Sequence, residues 1–326
     1  MKTMKMVLAL CISAMGLVAS AAMAAPDKDS PAEACSGIKV ATGPKGKGYS
    51  LLFADLVKAC GAEVQMCEVS TQGGLDNLNV LSVKDADIGF AAVDTWQTMK
   101  SGDDNIGALK AVAGLSSNYL HIAVAARGFV IPGAKKWDGI RKEDDTTVVI
   151  ERFSQLRGRK VALVGSGQLL GRQLDRQTGM GMQFVDVDKD DQAFEMLRKG
   201  TVAAAFTVSG WPSGALKSLK QDSGITLVPF DVPTPGTVYQ VKALNYKGLG
   251  VFNVNSLAIP NVLFTRPFNG ERATSVAKLK ACMTAKLNDL QEGDAQPAWN
   301  EVKSLDNTYD VPKFVGPAVT QKVAKK

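Results

Sequence analysis

Short apolar runs alternate along this chain with longer stretches whose apolar residues recur every three to four positions. That alternation predicts an α/β fold. β-like runs fall at 37–42, 63–69, 87–92, 120–126, 159–164, 183–187, 202–207, 225–229 and 256–265. Helical periodicity falls at 49–60, 74–84, 94–100, 168–178, 190–199, 212–221, 271–289 and 295–303. Gly61, Gly179 and Gly200 stand where helix C-caps belong, and Asp190 and Asp191 where an N-cap belongs.

The pattern also echoes itself. Leu81 to Phe90 aligns without gaps to Leu197 to Phe206, each a helix end, a tight turn and a buried strand. Each is followed by a polar loop carrying a tryptophan, Trp96 or Trp211. Upstream, Lys39–Ser50 and Lys160–Leu170 both read as strand, glycine turn and helix. Two similar α/β lobes follow from this, with the ligand site in the cleft between them, because open α/β sheets bind ligands beyond the carboxyl ends of their strands. The segment Lys135–Ser154 is charged and reads as a surface excursion; residues 230–250, rich in glycine and proline near Tyr239 and Tyr246, read as a connection.

The N-terminus changes the picture. Lys2 and Lys5 precede an apolar run, Val7 to Ala22, and Ala22-Met23-Ala24 fits a small-residue cleavage site. Residues 1–24 are therefore expected to be a signal peptide cleaved after Ala24, and the mature protein to be exported to the periplasm. The formal charge of +6 falls to +4 without Lys2 and Lys5, and it is spread rather than clustered, which argues against nucleic acid. Four cysteines remain, Cys35, Cys60, Cys67 and Cys282, an even number that suggests two disulfides in an oxidising compartment. Cys35 before the first strand and Cys60 at the end of the returning helix are expected at one edge. Cys35–Cys60 and Cys67–Cys282 is the favoured pairing. With one histidine and no C-x-x-C, no metal site is expected.

The candidate chemistry centres on Gly43-Pro44-Lys45-Gly46-Lys47-Gly48-Tyr49-Ser50. A glycine turn between a strand and a helix leaves backbone N–H groups at a positive helix end, suited to an anion. The spacing nearly matches a P-loop, but Tyr49 stands where the phosphate-binding lysine belongs. Val164-Gly165-Ser166-Gly167-Gln168 partly matches a dinucleotide fingerprint, with its third glycine one residue late. Asp186-Val187-Asp188-Lys189-Asp190 starts like a calcium loop but lacks its glycine and closing glutamate. Thr71-Gln72-Gly73-Gly74 is either a ligand contact or a simple cap. Asp94 either accepts from an ammonium group or caps the helix at Trp96. His121, in an apolar strand, reads as a core histidine. Ser166 and Ser209 lack a G-x-S-x-G setting, so an enzyme is not expected, nor a cofactor.

Ala41-Thr42-Gly43-Pro44-Lys45-Gly46, Asp76-Asn77-Leu78 with Asp85-Ala86-Asp87-Ile88-Gly89-Phe90, Leu156 to Val164 and Ala204-Ala205-Phe206 occur in an order that resembles the TAXI family of TRAP-transporter solute-binding proteins. The resemblance runs from about Gly37 to the Cys282 helix. It implies a type 2 periplasmic binding fold: lobe 1 from 25–123 and 252–326, lobe 2 from 124–251, and a hinge of two crossing strands. It implies capture of a small anionic solute, in the family typically a carboxylate, and delivery to integral-membrane permease subunits. By position, the family's ligand contacts fall on Lys45, Gly46, Gly48, Tyr49 and Ser50, on Gln72, Gly73 and Asn77, on Asp94 and Asn118, on Ser166, Gly167 and Gln168, and on Ser209 and Trp211. Two positions depart from the family. Lys47 and Gly48 make the first loop a residue longer, and Gln168 replaces a small hydroxyl residue. An ABC-type phosphonate, phosphate or sulfonate carrier, or a ligand-sensing subunit, would use the same fold.

Overall fold

The computed structural model describes residues 35–133 and 144–318. The expected leader at 1–24, most of the charged start of the excursion and the tail at 324–326 lie outside them.

The first half is built from β1 (Ile38–Gly43), α1 (Gly48–Cys60), β2 (Met66–Ser70), α2 (Gly74–Ser82), β3 (Ile88–Ala92), α3 (Val93–Met99) and the one-turn α4 (Asp104–Gly107). A long strand, β4 (Lys110–Ala125), leads out of it. The second half holds the ribbon of β5 (Phe129–Ile131) and β6 (Thr146–Val148), then β7 (Lys160–Val164), α5 (Gly167–Thr178), β8 (Gln183–Val187), α6 (Asp190–Arg198), β9 (Ala204–Ser209), α7 (Gly214–Lys217) and β10 (Ile225–Leu227). The chain returns through β11 (Gln240–Tyr246) and a second long strand, β12 (Val251–Thr265), and ends with α8 (Gly270–Glu292) and a 3-10 turn at Pro297–Glu301.

One sheet runs β2-β1-β3-β12-β4-β9-β7-β8, with β10 added to β4 and β11 to β12. Read from its two edges, it repeats itself. β2-β1-β3 is parallel and meets β12 antiparallel; β8-β7-β9 is parallel and meets β4 antiparallel. The internal echo of the sequence thus becomes two α/β halves joined by two long strands, the two-lobed type 2 architecture. β4 pairs with β12 from Lys110 to Tyr119 and with β9 from Tyr119 to Ala123, so it passes from one half to the other at Tyr119.

Each half buries its parallel strands under helices. α1 and α8 pack Leu52, Leu56, Leu279 and Met283 over Val40, Ile88 and Leu263. Asp87 is 5% exposed beneath this layer, held by Arg266 at 3.0 Å and Arg272 at 3.4 Å, and it accepts the Lys39 N–H. A buried carboxylate in this half is therefore matched by cations, as a buried charge requires.

Several expectations need correction. The disulfides join Cys35 to Cys67 and Cys60 to Cys282, not Cys35 to Cys60 and Cys67 to Cys282. The parallel register places Ile38 opposite Met66, so the chain just before β1 lies beside the start of β2. Cys60 faces α8 instead, among Leu56, Leu279 and Met283. β4 begins ten residues earlier than the apolar run at 120 suggests, and β12 begins at Val251. Part of the glycine- and proline-rich stretch 230–250, expected as a connection, is a strand: β11 is mostly exposed and is held by pairing with β12. The helix expected at 212–221 is cut to Gly214–Lys217 by Pro212 and Gly214, and that at 295–303 to a 3-10 turn by Pro297. Lys189 is the N-cap of α6, with Asp190 and Asp191 inside its first turn, where their charge still favours the helix end. Gly61 caps α1 in right-handed geometry, whereas Gly179 caps α5 left-handed at φ 60°.

Candidate functional site

The loops that follow β1, β2, β3, β7 and β9 converge at the middle of the molecule. Glycines let them approach. Gly43, at φ 91°, lies so close to Gly73 that a Cβ on it would sit 3.2 Å from the Gly73 Cα. A Cβ on Gly167 would sit 2.6 Å from the Phe206 carbonyl oxygen. The start of α5 therefore rests directly on β9.

Between the halves lies one small cavity. Tyr49, Gly74, Ala92, Asp94 and Thr95 line it from the first half, Ser166, Leu169, Leu170 and Val208 from the second, and Asn118 and Ile259 from the two long strands. Its volume is about 10 Å³. Hydrogen bonds among the described residues connect the two halves. Tyr239, just before β11, donates to Asp94 at 3.1 Å, and Thr98 on α3 donates to Gln173 on α5 at 3.5 Å. A wider groove of about 730 Å³ at the start of α8 takes no residue from the second half and lacks this convergence.

The floor of the cavity is a polar triangle. Tyr49 donates to Asn261 Oδ1 at 2.8 Å and accepts from Asn118 Nδ2 at 3.0 Å; Asn118 Nδ2 also reaches Asn261 Oδ1 at 3.0 Å. Asn261 Nδ2 donates to the Ser116 carbonyl. One residue from α1 and one from each long strand are thereby tied together. The Tyr49 ring stacks on Phe90 with centroids 5.4 Å apart. Burial raises the pKa of its hydroxyl, which stays protonated and able to donate.

Asp94 is the charged group of the cavity. It is 4% exposed. Its Oδ1 accepts from the Thr95 N–H at 2.6 Å and the Thr95 hydroxyl at 3.3 Å, and its Oδ2 from Tyr239. Burial, foremost, raises its pKa above the usual carboxylate range, against the lowering effect of these hydrogen bonds. The same burial, then the Asp94 charge, raises the pKa of Tyr239.

Of the sequence-predicted residues, Tyr49, Asp94, Asn118 and Ser166 line the cavity. Lys45, Gly46 and Gly48 are exposed and are not among the cavity-lining residues. Ser50 is buried and accepts the Gly46 N–H, so that donor is spent within the turn. Gln72 is exposed, and Gly73 is half-buried beside the cavity-lining Gly74. Asn77 is buried and fully engaged, with Thr71 and with the Phe90 carbonyl. Gly167 is buried at the start of α5, with Gln168 half-buried after it. Ser209 is half-buried, and Trp211 packs edge-on against Tyr119 and outside the cavity lining. Trp96 is a core residue whose indole N–H donates to the Ile106 carbonyl.

Asn261 and Tyr239 were not foreseen. Asn261 had a signal: an amide following a proline within the apolar run 256–265, where a polar side chain must find partners. Tyr239 had none beyond lying in the supposed connection. His121, expected as a core residue, is fully buried. Its Nε2 lies 2.7 Å from the Tyr246 hydroxyl, which accepts the Ser213 N–H and so has its own hydrogen left to donate to the ring.

No protein-family model matches the chain. Among solved structures it is similar to Tv2483 bound to L-arginine, at 10% identity and TM-score 0.46, over 79% of this chain and 87% of that one. It is similar to an ancestral arginine-binding protein bound to arginine, at 15% identity and TM-score 0.44, over 77% and 92%. A periplasmic binding protein of an ABC transporter from Brucella ovis, with glutathione bound, gives 12% identity and TM-score 0.44, over 79% and 74%.

Proposed function

We propose that this chain is an exported solute-binding protein that closes two lobes over a small solute and delivers it to a membrane permease. The observation that carries the reading is the cavity, which is lined from both halves and from the two strands that join them. Such a site is made by closure and unmade by opening, so a ligand that contacts both halves favours the closed form by its differential affinity. Two disulfides support an oxidising compartment such as the periplasm. The lobe boundaries at 123–124 and 251–252, the TRAP type of permease and a carboxylate on the solute belong to this proposal and rest on the family resemblance. The start of α2 at Gly74, which lines the cavity, supports a carboxylate there, since a helix N-terminus offers free N–H groups.

A thermal-shift screen of small acids tests the reading. A ligand at 100 times its dissociation constant should stabilise the protein by roughly 2.7 kcal/mol. Scattering should show the molecule becoming more compact with the same compound. A screen of carboxylates, amino acids and oxyanions that moves neither quantity would count against it.

A further inference from the structure

We propose that the solute carries a protonated amine and that Asp94 receives it; this deepens the solute-binding reading and rests on it. Two aspartates of the first half are buried to the same degree, Asp87 at 5% and Asp94 at 4% exposure. The fold treats them differently. Asp87 is matched by Arg266 and Arg272 and lines neither the small cavity nor the groove at α8. Asp94 faces the cavity, and every hydrogen bond to it comes from a neutral group: the Thr95 N–H, the Thr95 hydroxyl and the Tyr239 hydroxyl. Among the described residues, no lysine, arginine or histidine lines the cavity. Lys45 and Lys47, just before the lining residue Tyr49, are exposed, and Arg172, just after Leu170, pairs with Asp186 at 2.7 Å.

A buried carboxylate without a cation is costly, because water no longer solvates it and neutral donors only partly replace that solvation. The direction of the Asp94 pKa shift agrees. The fold supplies a counter-charge for one buried aspartate and leaves the other to be matched from the cavity. An ammonium group fits this place. It is compact, it donates three hydrogen bonds, and it can reach the Asp94 oxygens and the Tyr49 and Asn118 oxygens that share the lining. A simple mono- or dicarboxylate would instead bring a second negative charge beside Asp94, which is repulsive at close range. The favoured class is a small solute with a cationic nitrogen, and a carboxylate elsewhere on it remains compatible.

Matched pairs of probes test this by calorimetry on the mature protein: glutamate against glutarate, aspartate against succinate, alanine against propionate, and putrescine against butanediol. The amine-bearing member of at least one pair should bind about 30-fold or more tightly than its partner, the loss typical when a buried charge pair is broken. Asp94→Asn should remove that preference by a similar factor while leaving the melting temperature of the free protein unchanged or raised. Tyr239→Phe, which keeps the carboxylate, should hold the preference. Deaminated acids binding as well as their amine partners, or an Asp94→Asn variant that keeps its amine affinity, would overturn the assignment and leave solute binding standing. Failure of every acid and every amine would overturn both. If Asp94→Asn does not fold, the paired probes on the unaltered protein still decide the matter.

Discussion

Tyr49 combines an aromatic stack with a hydrogen-bonding hydroxyl at the candidate site. Its ring stacks on Phe90, and its hydroxyl closes the triangle with Asn118 and Asn261. Tyr49→Ala would confound the two roles, so Tyr49→Phe is the cleaner probe. It should cost about 1 kcal/mol in urea unfolding, the worth of a typical hydrogen bond; Tyr49→Ala should cost about 3 kcal/mol or more, because the stack is lost as well. Equal losses would mean that the ring contributes nothing. His121 gives a pH prediction. Burial lowers its pKa from 6.5 to about 4, so the unfolded chain binds a proton between these values that the folded chain refuses. Stability is then full above pH 6.5 and falls as pH drops toward 4, by on the order of 3 kcal/mol. Urea midpoints at pH 7.5 and pH 4.5 should show this fall, and His121→Gln should flatten it. A wild-type profile as flat as the variant's would refute the assignment.

The elements that build the site are held by close backbone approach more than by side chains. α5 can begin against β9 only because position 167 lacks a Cβ. Gly167→Ala should push the helix start away, cost about 1–3 kcal/mol and weaken solute binding in the same variant. A variant with unchanged stability would show that the contact is slack. The disulfides act at the same scale. Cys60–Cys282 ties α1 to α8 across 222 residues of chain, and Cys35–Cys67 ties the start of β1 to β2 across 32. Loop-closure entropy then predicts losses of about 5 and about 4 kcal/mol on replacing each pair by serine. Non-reducing peptide mapping should recover these two linkages; a Cys35–Cys60 peptide would refute the pairing. The glycine turns were legible in the sequence because a missing side chain is a local fact. The pairing of cysteines was not, since it depends on which strand lies next to β1 and which helix covers α1.

Across the whole molecule, β4 and β12 join the two halves. They are the strands shared by both halves, and Asn118 and Asn261 sit on them at the cavity. If the halves open about these strands, Thr98 and Gln173 should part. Thr98→Cys with Gln173→Cys, joined by a short bismaleimide, should hold the protein closed and abolish exchange of bound solute; free exchange in the cross-linked protein would show that opening is not needed. The alternation of apolar runs, the glycine punctuation and the internal echo were enough to specify two α/β halves, because periodicity and turn chemistry are local consequences of covalent geometry. The same local reading singled out Tyr49, Asp94 and Ser166, each just past the end of a strand, and the family resemblance added Asn118. The local reading also set Lys45 and the loop N–H groups at the centre of an anion clamp; in the structure Lys45 is exposed and the Gly46 N–H is taken up by Ser50. Which way a loop faces, whether Ser50 consumes a donor, and whether a cation lies near Asp94 depend on groups up to two hundred residues apart. The sequence by itself determined the scaffold and the ends of the strands where a ligand would sit. Only the folded arrangement decided the charge of the cavity, because burial and the presence or absence of a counter-charge are properties of neighbours in space.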